Sequence, residues 1–449
     1  MTPRKRYSPQ IRVIFSKANF ETLSTSLSIQ ACGAATGIIT ARFLGPVARG
    51  ELATVILWPV IFSNMGLMGC NWVLAREVAK SPVGECDWVA AAVAVGLCLA
   101  PLYFFAGYYL MPLLLPQNKG YLLSVARLCL ALIPLDIFNQ LLLGVEHGRM
   151  RWRRYNLLRL SFFLFYLAFI CFIGAARRTQ VRWFVCAFLA SHLLTLAVRL
   201  WIQRNSLLTG KWGIEECRHL LRAGVPYFGA TISNLVSLQL DTILVVSLLS
   251  TKAAGIYVVA AAFANGQSAI GDALGITSFA VLSNEKNTER QGRIIAGTFR
   301  QSALASCGAG LALSGLIPFV VVPLFGAQFS EAIWPAVILA LAAAITASTN
   351  VLNQGLRGAG RPQAGVLSQL LGIAVMAVAA LFFLGGLGLA GIAFAVLLSA
   401  GAQVLVLVVA AAKWFRISPL EFWPFGAANM RSFFQLVSDL CLRFSRSPA

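Results

Sequence analysis

Twelve apolar runs, each at least as long as the roughly 20 helical residues that cross a bilayer core, dominate this chain: 21–45, 51–75, 87–113, 121–146, 155–175, 182–203, 220–249, 253–283, 298–325, 331–357, 365–386 and 389–413. Short charged or Pro/Gly-bearing stretches separate them. The runs are continuous rather than alternating, and a segment in lipid must satisfy its own backbone hydrogen bonds, so they read as helices and not as the strands of a barrel. A chain of 449 residues with 58% hydrophobic and only 12% charged residues lacks the polar cover of a soluble fold. The fold class is therefore an all-α polytopic membrane protein.

The net charge of +20 does not point to nucleic acid, because no soluble domain is present to carry a basic face. It reports topology instead. With a cytoplasmic N-terminus, 26 of the 36 Lys/Arg fall on inner segments, 7 on outer ones, and 3 (Arg127, Arg159 and Arg199) inside helices. That bias predicts both termini in the cytoplasm. One outer loop, 176–182, is discordant, with Arg177, Arg178 and Arg182. Arg4, Lys5 and Arg6 precede the first run without a small-residue cleavage site, which predicts a retained helix rather than a removed signal peptide. Seven of the ten cysteines fall within predicted helices and none forms a Cys-x-x-Cys pair, so disulfides are not expected.

The chain repeats itself. NQLLLG at 139–144 returns as NQGLRG at 353–358, and each copy is followed by a Gly-Arg pair, Gly148-Arg149 and Gly360-Arg361. RFLGPVARGELATV at 42–55 answers to SLLSTKAAGIYVVA at 247–260, with Gly50 and Gly255 opening the next helix in each. Both offsets span six helices. The organisation predicted is an N-terminal six-helix bundle at 1–210, a C-terminal six-helix bundle at 211–413 and an amphipathic tail at 414–449. Six is even, so the repeat is parallel, about an axis along the membrane normal, and the two bundles face each other across a central cavity. In the tail, Phe433, Leu436, Val437, Leu440, Cys441 and Phe444 make an apolar helical stripe, read either as an interfacial helix or as a basic tail without structure.

At ARFLGPVARGELA, at 238–263 (LQLDTILVVSLLSTKAAGIYVVAAAF) and at NQGLRGAGRPQAG, the sequence resembles the polysaccharide-biosynthesis flippases of the multidrug/oligosaccharidyl-lipid/polysaccharide exporter superfamily. The resemblance covers 21–413. It implies a multi-pass protein of the bacterial inner membrane that moves an undecaprenyl-pyrophosphate-linked oligosaccharide between leaflets by alternating access, for O-antigen, capsule or exopolysaccharide assembly. Its partners would be that lipid-linked oligosaccharide, membrane lipids, and polysaccharide polymerase and assembly proteins. No cofactor and no nucleic acid is implied. The peptidoglycan-precursor relatives carry two further C-terminal helices that this chain lacks.

No catalytic constellation is visible: His147, His192 and His219 are scattered, and neither metal-ligand spacing nor a phosphate-binding glycine loop occurs. An enzyme is not expected. The candidate chemistry is charge at membrane depth, which costs at least about 2.5–3.5 kcal/mol at a helix centre and so turns toward water or a partner. A pyrophosphate needs planar cationic donors, and a sugar needs amides. The candidate substrate-binding residues are Arg42, Arg49, Arg127, Arg159 and Arg357 with Gln30, Asn139, Gln140, Asn234, Gln239, Asn353 and Gln354. Each amide is also read as a helix-packing residue. Asp241 and Asp272 are candidates for ion coupling or for pairing with arginine, and Arg127 and Asp136, nine residues apart on one helix, cannot pair with each other. Two rivals remain: a small-molecule or drug exporter of the same superfamily, which would favour an acidic or aromatic pocket, and a membrane-embedded polysaccharide polymerase, which needs a large outer loop.

Overall fold

The computed structural model describes residues 17–80, 84–266, 271, 275, 278, 282, 287–426 and 429, the side chains of 17–20, 23, 230 and 234 excepted. Among the described residues the regular structure is helical. The helices are α1 (Lys17–Gly66), α2 (Cys70–Lys80), α3 (Glu85–Leu114), α4 (Leu123–Cys129), α5 (Leu132–Gly148), α6 (Trp152–Ala175), α7 (Val181–Thr209), α8 (Ile214–Leu248), α9 (Thr251–Asn265), α10 (Thr288–Phe325), α11 (Ile333–Gly358) and α12 (Gln363–Phe415). Short 3₁₀ turns at Gln117–Leu122 and Ala327–Ala332 lead into α4 and α11.

Among the described residues seven helical stretches are long and apolar enough to cross a membrane, and two of them are twice as long as needed: Ser24–Gly66 with 43 residues and Gln363–Phe415 with 53. At about 1.5 Å per residue either would overrun a 30 Å core twofold. Each is broken at a glycine in a conformation that side chains avoid, Gly45 (φ 69, ψ 177) and Gly388 (φ 53, ψ −123). In α12 the break folds the helix back on itself, since Ser399 Oγ donates to the Gly372 carbonyl at 2.8 Å across 27 residues. Pro46, directly after Gly45, restarts α1 where a missing N–H costs nothing. Two further spans are bent pairs with a 41° break, Gln117–Cys129 with Leu132–Gly148 and Ile214–Ser233 with Leu235–Leu248. Seven helices, two of which count twice, and two bent pairs give eleven crossings among the described residues. The twelfth expected run, 253–283, is described continuously only to 266.

The second crossing corrects the sequence reading. It was expected at 51–75, but the helix starts at Pro46 and ends at Gly66, and α2 is a separate, shorter helix. The cause is local: Met68 (φ 44) and Gly69 (φ 74) take left-handed backbone that ends a helix. Gly50 therefore sits within the first turns of the second crossing rather than opening it.

The chain divides into two compact units, Met1–Val259 with Val322–Ser330, and Ala260–Val321 with Glu331–Ala449. In the first, neighbouring helices alternate in direction. Tyr103 and Phe62 meet Gly66 and Gly107 across α1 and α3, and Gly96 meets Phe138 across α3 and α5. Phe162 and Tyr166 of α6 pack against His192 and Phe188 of α7, tilted and edge-on, in antiparallel order. The core there is built from Leu52, Val73, Leu74, Val89, Ile133 and Phe184, all fully buried. In the second unit, α11 lies along α12, and Arg361 stacks on Trp414 at 3.3 Å from the ring centre.

Candidate functional site

The polar residues that the sequence places at depth converge in the first unit on α5. Residues four apart share a helix face, so Asp136 and Gln140 point the same way, with Asn139 beside them. Ser63 Oγ of α1 donates to Asp136 Oδ2 at 2.8 Å, and Gln140 Nε2 reaches Oδ1 at 3.4 Å. Asn139 is a strut between helices: its amide donates to the Leu135 carbonyl at 2.9 Å and to the His192 carbonyl of α7 at 3.0 Å. Arg199 closes the group. It is 4% exposed, and its guanidinium donates to the Asn139 carbonyl at 2.5 Å and the Leu158 carbonyl of α6 at 2.7 Å. Gln203, one turn on, donates to the Leu142 carbonyl at 2.7 Å. The Asp136 carboxylate lies within electrostatic reach of both Arg199 and His192.

This network is not closed on itself. Asn139 Oδ1, Gln203 Oε1 and Arg199 Nε within it, and the Nε groups of Arg49 and Arg127 elsewhere in the first unit, are buried without a hydrogen-bond partner among the described residues. Buried polar atoms are ordinarily paired, so an open set of this kind marks a place where polar matter from outside the protein can be held. Its open donor, Arg199 Nε, is cationic, as are the two outside it. Arg127 lies over the Tyr108 ring at 4.5 Å, Arg159 lies over Tyr155 at 5.5 Å, and half-buried Arg49 faces the Tyr166 phenol.

The remaining candidates are dispersed. Arg42 is exposed and donates to the Leu324 carbonyl at 2.7 Å and to Pro323 O, at the C-terminus of α10. Gln30 and Gln239 are half-buried on α1 and α8. In the second unit Asn353 abuts Gly365 with its Oδ1 unpartnered among the described residues, Gln354 lies beside Gly275, and Arg357 is exposed. Asp241 is half-buried and satisfied, accepting from Tyr257 Oη at 2.8 Å, the Thr242 amide at 2.6 Å and Thr242 Oγ1 at 3.2 Å. No arginine pairs with it among the described residues. Asp272 and the side chain of Asn234 lie outside the described residues.

Sequence reasoning missed three participants. Arg199 and His192 stand seven residues apart on one face of α7, a spacing that could have flagged them. Lys119 counts by composition as a loop charge, yet it is fully buried, and its Nζ donates to the Val246 carbonyl at 2.5 Å and the Leu249 carbonyl at 3.1 Å, capping the C-terminus of α8. Gly50 and Gly255 were read as helix starts. They are a reciprocal contact: a Cβ on Gly50 would strike the Thr251 carbonyl, and one on Gly255 would strike the Pro46 carbonyl, each partner four residues before the other glycine. A pair related by a two-fold axis makes that kind of self-complementary contact.

These features define a multi-pass helical membrane protein carrying an open, cation-rich polar network at depth. The chain belongs to the family described as polysaccharide biosynthesis protein, whose model matches residues 18–269, more than half of its length. No curated protein matches it. The fold is similar to that of the lipid II flippase MurJ in an inward closed conformation, with a TM-score of 0.76 at 11% identity over 95% of this chain and 93% of that one. It is similar also to an inward-facing multidrug resistance MATE family transporter of the MOP superfamily, with a TM-score of 0.72 at 15% identity over 92% and 100%. A MOP superfamily transporter from Pyrococcus furiosus gives a TM-score of 0.61 at 14% identity over 92% and 99%. These three solved structures are those of a flippase and of transporters.

Proposed function

We propose that the protein is a flippase that carries an undecaprenyl-pyrophosphate-linked oligosaccharide from the cytoplasmic to the periplasmic leaflet of the bacterial inner membrane, for assembly of a surface polysaccharide. The observation that carries this reading is the sign of the unpaired groups. Among the described residues the charged donors left open are the guanidinium Nε atoms of Arg49, Arg127 and Arg199, beside neutral donors such as Trp58 Nε1, while Asp136 and Asp241 already accept hydrogen bonds from neighbours and one oxygen of Glu146 is open. Open cationic donors with satisfied acids suit an anionic head group and not a cationic drug. The unpartnered amide oxygens of Asn139 and Gln203 suit the hydroxyls of a sugar. Membership in a polysaccharide biosynthesis family supports the substrate class, and the fold shared with a lipid II flippase supports a lipid-linked one.

In this reading Arg49, Arg127 and Arg159 take the pyrophosphate, and Asn139 and Gln140 the sugar. The repeat supplies two six-helix halves, 1–210 and 211–413, that alternate access, with both termini cytoplasmic, and a polymerase takes over the product outside. Deleting the protein is expected to leave lipid-linked oligosaccharide on the cytoplasmic leaflet and abolish the surface polymer while sugar assembly continues. Accumulation of flipped but unpolymerised units in the periplasm would overturn the reading in favour of a polymerase. Single cysteines at Asn287 and Asn118, introduced into a cysteine-free variant, test orientation: an impermeant thiol reagent on intact cells should label Asn118→Cys and not Asn287→Cys.

A further inference from the structure

The run RWRR at 151–154 has no part in the proposed transport site, yet it borders a cavity on the first unit. That cavity, of about 670 Å³, is an open groove between the start of α6 and the end of α7. Its floor is apolar, with Leu157, Leu158, Val198 and Ile202, and its rim is Arg151, Arg153 and Arg154 with Trp152. All three arginines are exposed, and among the described residues none has an acidic partner. Other basic residues near helix ends do: Arg76 and Lys80 with Glu77, Arg149 with Glu85 and Glu146, Arg293 with Glu289. The first turn of α6 holds no acid and its N-terminus has no side-chain cap, so free backbone N–H groups add to the positive potential at the rim. One acid lies close by: Glu21 lines an adjoining cavity of about 390 Å³ that also touches Arg153.

A cationic rim with an amphipathic Trp, at the first residues of a 24-residue crossing, lies where phospholipid head groups meet the hydrocarbon. An apolar groove continuing from it into the crossing is the shape of an acyl chain. We infer that this groove is a binding site for an anionic phospholipid of the surrounding bilayer, its phosphate held by Arg151, Arg153 and Arg154 and an acyl chain lying along Leu157 and Val198 between α6 and α7. Charge complementarity selects the occupant: three unpaired guanidinium groups favour a lipid with net negative charge over a zwitterionic one. The inference stands independently of the transported substrate.

The test uses the full-length protein, purified without substrate and placed in nanodiscs of phosphatidylglycerol and phosphatidylcholine in equal amounts, then released for native mass spectrometry. The wild type should retain one phosphatidylglycerol in preference to phosphatidylcholine. The triple variant Arg151→Gln/Arg153→Gln/Arg154→Gln should lose that retention at least tenfold, with an unchanged melting temperature because all three side chains are exposed. Leu157→Trp, which fills the groove from a position 60% exposed without touching charge, should weaken retention as well. Removing three charges at the other end of α6, in Arg177→Gln/Arg178→Gln/Arg182→Gln, should leave it intact. Equal retention by the RWRR variant and the wild type would overturn the inference, as would equal loss in the distal control. Displacement by millimolar inorganic phosphate would overturn it too, by showing a phosphate site in place of a lipid site.

Discussion

The two copies of the NQ motif sit in unlike surroundings. By the offset of 214 residues, Asp136 in the first copy answers to Asn350 in the second, and Leu158 to Gly372. In the first unit the Leu158 carbonyl receives the buried cation Arg199. In the second, the Gly372 carbonyl receives the hydroxyl of Ser399, with neutral Gln403 against the same glycine. Each unit thus joins helices at this level by a polar contact to a carbonyl, but only the first uses charge for it among the described residues. The repeat explains the shared part, which is helix packing. A buried charge is costly at this depth, so its presence in one copy is the mark of work that the other copy does not do.

The largest expected effect comes from removing that cation. Arg199→Gln loses two hydrogen bonds from a charged donor and should cost about 3 kcal/mol, read as a lowered melting temperature in detergent, whereas Gln403→Ala in the second unit should cost about 1 kcal/mol. Equal losses would erase the contrast between the copies. Asp136→Asn makes the first copy resemble the second. The Asn side chain can still accept from Ser63, so folding should survive with less than about 1 kcal/mol of loss, while transport falls at least tenfold. Full transport by this variant would show that the asymmetry has no function. A smaller effect is expected at Asp241, whose half-buried side chain leans on Tyr257: Tyr257→Phe should cost about 1–2 kcal/mol, and Asp241→Asn in the same background should recover part of it.

The smallest effect is a pH dependence outside the crossings. Burial alone would raise the Glu77 carboxyl, but hydrogen bonds from Arg76, Lys80 and His219 outweigh it and hold the group below the ordinary carboxylate range. A carboxyl depressed in the folded state stabilises above its unfolded value, about 4.3, and that contribution is lost as pH falls through the folded value. Glu77→Gln should therefore flatten the fall in melting temperature below about pH 4.5 and leave neutral pH little changed. An acid limb identical to that of the wild type would place the pH sensitivity elsewhere.

The crossings were largely legible in the sequence because bilayer thickness fixes a length that apolar runs display directly. The end of the second crossing was not: the apolar pattern runs on through 67–75, and the break depends on left-handed backbone at Met68 and Gly69, neither of which is a helix stop in itself. Within the candidate site, the residue types were legible and the partners were not. Asp241 is an acid at depth by sequence, but its satisfaction by Tyr257 depends on how the chain turns between α8 and α9. Arg199 and Lys119 counted only as charges in a topology balance, because burial of a long cationic side chain is decided by which carbonyls neighbouring helices present to it. Gln30, Gln239 and Arg357 belong to no common cluster among the described residues, since polarity along a helix does not say which neighbour it faces.

The central claim is that the guanidinium groups of Arg49 and Arg127, whose Nε atoms have no partner among the described residues, bind an anionic, lipid-linked sugar. Its most direct test is flipping of an undecaprenyl-pyrophosphate-linked oligosaccharide in proteoliposomes, followed by loss of access to an external sugar-specific probe. The wild type should accelerate flipping well above protein-free vesicles, and Arg49→Gln/Arg127→Gln, with a melting temperature near that of the wild type, should reduce the rate at least tenfold. Undiminished flipping by the double variant, or a wild type that moves a lipophilic cation and leaves the anionic lipid in place, would contradict the account.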